Sequence, residues 1–117
     1  MISFSSSQRY FLYRPATDMR KSFDGLCGLV TDGMQLDTLS GDVFIFINRT
    51  RNRLKLLVWD RSGFVIYYKR LEQGTFELPV REKEAAGIEI RWEELVLILE
   101  GISLESVRRR KRFIKTA

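Results

Sequence analysis

The chain has 117 residues, 44% of them apolar and 30% charged, and a net charge of +5. This balance suits one folded domain with a real core and excludes a disordered chain, and no apolar run approaches the ~20 residues of a membrane-spanning helix. Histidine is absent and Cys27 is the single cysteine. The usual general base near neutral pH, a Cys-His nucleophile pair, a Cys/His zinc site and an intramolecular disulfide are therefore excluded.

Residues Met1 to Ser7 lack the charged and long apolar segments of a signal peptide, so a cytoplasmic location is expected. Charge is strongly segregated. Residues 1–48 carry a net −1, residues 49–71 +6, residues 72–107 −6 and residues 108–117 +6. Two concentrated basic blocks point to a polyanion or an acidic protein partner.

Arg9 to Arg14 reads as a short strand closed by Pro15. A helix is expected from Thr17, with Thr17 as N-cap and Asp18 in the first turn. Met19, Phe23, Leu26, Val30 and Met34 then form one apolar face, and Gly33 is the expected terminator. After a turn at Leu39 to Asp42, Val43 to Ile47 is apolar throughout, as in a strand buried on both faces. Asn48 to Arg53 is a polar turn that should project from the sheet. Leu54–Trp59 and Phe64–Leu71 are the next strands, joined by a turn at Asp60 to Gly63. Thr75 to Leu78 is expected as a further short strand stopped by Pro79, and Ile88 to Ile90 as an edge strand. A second helix should run from Trp92 to Glu100 with Gly101 at its end, and Ser103 should cap a final turn. The expected fold is α+β, an antiparallel meander of four to five strands packed against two helices. Residues 1–107 form the expected domain and residues 108–117 a basic tail.

The arginine-rich turn is the sharpest local feature. Arg49, Arg51, Arg53 and Lys55 alternate without a balancing acid before Asp60, and arginine forks to phosphates or guanine edges. A solvated tip that resists edge aggregation is the bland alternative. Lys69 and Arg70 on the neighbouring strand join the nucleic-acid-binding candidates. So do Arg108, Arg109, Arg110, Lys111 and Arg112, which a solubilising tail would also explain. With Lys115, the tail would neutralise six phosphates and give a log–log salt slope of about −5. Tyr10, Tyr13, Tyr67, Tyr68, Trp59 and Trp92 are aromatic residues that can stack bases, although core packing explains most of them better. Tyr67 and Tyr68 point to opposite faces, so at most one of them joins a single surface. Asp18, Asp24, Asp42 and Asp60 are the acids to weigh as metal ligands, and capping or turn roles account for all four.

Three stretches together are distinctive: Thr17-Asp18-Met19-Arg20-Lys21-Ser22-Phe23-Asp24-Gly25-Leu26, Ser40 to Phe46 with Asn48-Arg49 and Trp59-Asp60, and Lys69-Arg70-Leu71-Glu72-Gln73-Gly74-Thr75-Phe76. They resemble the second-open-reading-frame (TnpB) accessory proteins of the IS-sixty-six family of bacterial insertion sequences. Leu99-Glu100-Gly101-Ile102 and the basic end also fit, so the likeness runs from about Arg9 to Phe113. Thr38, Leu78 and Ser103 depart from the family's usual proline, tryptophan and aspartate, touching turns and packing only. The resemblance implies a protein that serves transposition beside a separate transposase, which carries the acidic catalytic triad. It offers no catalytic residue, metal or cofactor to carry over.

Two readings follow. In one, a non-catalytic accessory factor grips DNA through the basic hairpin and tail. In the other, a protein adaptor assembles or regulates the transposase, with a second accessory protein as a further partner and no direct DNA contact. A carboxylate-based nuclease is the weakest reading. Arg20 and Lys21 either pair with Asp24 across one helical turn or face a partner.

Overall fold

The computed structural model describes residues 5, 7–80 and 85–101, which form one five-stranded sheet and the helices that cover it. The strands are β1 (Tyr10–Tyr13), β2 (Val43–Ile47), β3 (Arg53–Asp60), β4 (Gly63–Arg70) and β5 (Gly87–Ile90). Helix α1 (Phe23–Gly28) runs on into a π-helical turn at Leu29–Met34, and α2 is Trp92–Leu99. The sheet order is β4-β3-β2-β1-β5. The α+β reading is borne out: β2, β3 and β4 form an antiparallel meander. β1 lies parallel to β2 and antiparallel to β5. A parallel pair needs a crossover, and the α1 segment supplies it.

Strand alternation sorts the core into two layers. On one face Tyr10, Leu12, Val43, Ile45, Ile47, Leu54, Leu56, Ile88 and Ile90 pack with Leu95 and Ile98 of α2. On the other, Phe11, Phe44, Phe46 and Leu57 pack with Leu26 of α1 and Val30 of the π turn. All five residues of β2 are buried, which explains their unbroken apolar run.

Two elements differ from expectation. The first helix begins at Phe23, because residues 17–21 are committed elsewhere. Thr17 is buried and donates its N–H to the Ile47 carbonyl at 2.9 Å, which ties it to the end of β2 instead of leaving it to cap a helix. Asp18 accepts from the Arg20 N–H at 2.9 Å, and its carbonyl accepts from the Lys21 N–H at 3.0 Å, closing a turn. The carbonyls of Met19 and Lys21 each accept a 2.8 Å hydrogen bond from the Lys55 ammonium, whereas a helix would use them four residues on. Gly33 lies within the π turn, where an added Cβ would come within 3.0 Å of the Tyr13 ring; Gln35, at φ 56°, ends the segment instead.

The segment from Thr75 to Leu78 is not a strand. Phe76 is fully buried, and its N–H donates to the Arg51 carbonyl at 2.6 Å, so the segment crosses the end of the sheet instead of pairing along β4. The expected turn at Ser103 lies outside the described residues.

Candidate nucleic-acid interface

The turn between β2 and β3 is built on one side chain. Asn48 Oδ1 accepts from the Asn52 and Arg53 N–H groups, both at 3.0 Å. Its Nδ2 donates to Thr50 Oγ1 at 3.1 Å and to Asn52 Oδ1 at 2.8 Å. Such Asx chemistry fixes a turn locally. The rest of the chain holds it from outside: the Asn52 carbonyl accepts from the Leu71 N–H at 2.8 Å, as the Arg51 carbonyl does from Phe76. The expected projecting tip is therefore a docked, pre-organised turn.

Arg49, Arg51 and Arg53 are exposed on this turn. Arg51 sits at φ 57°, a left-handed conformation that costs a non-glycine residue about 1–2 kcal/mol. Across the β3–β4 ladder Arg53 stands directly opposite Arg70. Like charges in that position repel. Arg53 donates to the Tyr68 hydroxyl at 3.3 Å, and Arg70 pairs with Glu72 at 2.9 Å. Arg53, Tyr68, Arg70 and Glu72 line an open groove of about 360 Å³.

Two candidate cations have other work. Lys55 is only 7% exposed, and besides its two carbonyl partners its ammonium lies 4.8 Å from the centroid of the Tyr68 ring. Arg53 and Lys55 share one face of β3, so position along the strand makes the difference: Lys55 lies under the 19–21 turn, while Arg53 stands two residues nearer the strand's exposed start. Lys69 faces the other layer, where its ammonium donates to the Leu99 carbonyl at 2.6 Å and caps the end of α2. Both are structural clasps in this arrangement.

Lys55 also brings the 19–21 turn to the arginine end of the sheet. Arg20 makes a 2.7 Å ion pair with Asp18, not with Asp24. Its guanidinium and N–H hold the Asp18 carboxyl down at about 2, below the ordinary carboxylate range. Lys21 is exposed, and its stem lies over Gly25, where an added Cβ would come within 3.1 Å. The arginines and Lys21 thus share one end of the β3–β4 ladder. Among the described residues no three Asp, Glu, Cys or His side chains converge as a metal site would need, and no helix is long and apolar enough to cross a membrane.

A family model described as IS66 Orf2 like protein matches residues 8–109. The chain belongs to this family. The IS66 Orf2-like proteins are insertion-sequence accessory proteins and are not a known catalytic family. The chain is 32% identical to uncharacterized protein y4jC of Sinorhizobium fredii over 119 aligned positions, covering 100% of both chains. It is 31% identical to uncharacterized protein y4hO of the same organism over 102 positions, 87% of each chain. No solved structure matches it.

The family match covers the arginine turn, the 17–26 stretch and the first residues of the tail. Arg108, Arg109, Arg110, Lys111 and Arg112 lie outside the described residues. Sequence reasoning missed Asn48, whose place at the end of an apolar strand before a polar run is a legible Asx-turn signal. The sequence names Tyr68 among aromatics able to stack bases without separating it from those better explained by core packing; the structure leaves it 48% exposed.

Proposed function

We propose that this chain is a non-catalytic accessory factor of insertion-sequence transposition that binds DNA phosphates through the arginine end of its β3–β4 ladder. The direct opposition of Arg53 and Arg70 beside a rigid turn bearing Arg49 and Arg51 carries this reading. Two like charges held side by side are relieved by an anion between them, and a fixed turn forfeits little ordering entropy on binding. Arg51 supports it further, because the turn holds a cation where glycine would be less strained. The tail from Arg108 to Arg112 adds sequence-independent phosphate contacts. The transposase of the same element is the protein partner that an accessory role implies.

The test is a titration of fluorescent duplexes carrying the element's ends, and scrambled controls, with the full chain at ~50 mM salt, where phosphate contacts are strong. Binding of both supports the reading, and preference for the ends adds sequence recognition. No binding of either sinks it and leaves the adaptor reading in its place.

A further inference from the structure

Tyr68 is the residue on this surface that phosphate binding does not explain. A large aromatic ring exposed beside the Arg53–Arg70 pair adds nothing to a purely electrostatic grip. One side of the ring is covered by the Lys55 ammonium, 4.8 Å from the centroid, and 48% of the residue remains exposed. The ring is held in place, since its hydroxyl accepts from Arg53 at 3.3 Å and Lys55 is anchored to two carbonyls. At the edge of the groove stands Glu72, bonded to Arg70. Its carboxylate repels a phosphate but suits an exocyclic amino group on a base. Together these make a pre-set aromatic platform with an ammonium against one face, the Arg53–Arg70 pair beside it and an acceptor at its rim.

We propose that this groove takes unpaired nucleotides of a DNA strand, one base stacked on the open side of Tyr68 and the adjoining phosphates on Arg53 and Arg70. The proposal rests on the DNA-binding reading above and names its substrate class. A base inside a duplex already has both faces stacked, so Tyr68 can engage only one that has left the helix. Aromatic platforms between basic side chains bind single strands in this way.

The experiment compares three probes of equal length on the full chain: a duplex, one of its strands, and that strand made abasic throughout, which keeps every phosphate and removes every base. The single strand is expected to bind more tightly than the duplex. The abasic strand should bind about 5- to 150-fold more weakly than the intact one, the ~1–3 kcal/mol of one stacked base. Tyr68→Leu should lower single-strand affinity by a similar factor, and Tyr68→Phe should restore most of it. Equal binding of intact and abasic strands overturns the proposal while leaving the phosphate reading standing. No binding of any probe overturns both. The abasic arm uses the native protein, so it decides the question even if a Tyr68 variant misfolds.

Discussion

Replacing Lys55 by methionine separates a structural lysine from a DNA-contacting one. The substitution keeps an unbranched stem in the buried site and removes an ammonium that serves two 2.8 Å hydrogen bonds to Met19 and Lys21 and lies over Tyr68. Each hydrogen bond to a charged donor contributes about 1.5–3 kcal/mol. Part of that is offset because the charge no longer has to be desolvated. A net loss of about 1–3 kcal/mol is expected, a fall in melting temperature of roughly 5–20 °C for a domain of this size. Urea unfolding should show a lower midpoint at unchanged slope. Duplex affinity, measured where both proteins are folded, should stay within about twofold. Unaltered stability with a salt slope shallower by about one would refute the structural role and return Lys55 to the phosphate-binding set.

The Asp18 carboxyl, held at about 2 by the Arg20 guanidinium and N–H, should titrate in carboxyl-carbon NMR well below the ordinary value of about 3.9. A depressed carboxylate stabilises the fold above its unfolded value, so any stability difference between wild type and Asp18→Asn should vanish as pH falls from about 4 to 2. A midpoint near 3.9 would contradict the Arg20 pairing. An added Cβ at Gly87 would come within 2.8 Å of Met34 Cγ, so Gly87→Ala should cost about 1–3 kcal/mol in urea unfolding, and no loss would mean that the π turn does not seat on β5. Arg51→Gly should leave stability unchanged or raise it by up to about 1 kcal/mol, because it relieves the left-handed strain against glycine's entropic cost. The same variant should weaken duplex binding; a clear loss of stability would show that the arginine side chain holds the turn.

The strands were legible wherever a single local rule governed them. The apolar runs of β2, β3 and β4 follow from burial or half-burial of most of their positions, with Asn, Asp and Gly marking the turns between them, and α2 follows from its apolar spacing. The start of the first helix was not legible, because the competing partner for the Met19 and Lys21 carbonyls, Lys55, lies more than thirty residues away. Local spacing reports which residues can share a helical face, not which carbonyls a distant ammonium will take. The same limit hid the parallel pairing of β1 with β2 and the docking of Phe76 against Arg51. In the candidate site, Arg49, Arg51, Arg53 and Arg70 were visible as charges. Their sorting from Lys55 and Lys69 required the strand register, which places the two lysines over carbonyls in opposite layers. The role of Tyr68 depends on its exposure at the end of the sheet, which composition and spacing do not encode.

The salt dependence of duplex binding, compared between the wild-type chain and an Arg49→Ala/Arg51→Ala/Arg53→Ala variant, tests the central claim most directly. If these three side chains neutralise phosphates, the log–log slope of the variant should be shallower by about 2.7, roughly 0.9 for each phosphate no longer neutralised. Thermal unfolding should show both proteins folded. An unchanged slope with intact folding would contradict the account and place the phosphate-binding surface away from the β3–β4 end of the sheet.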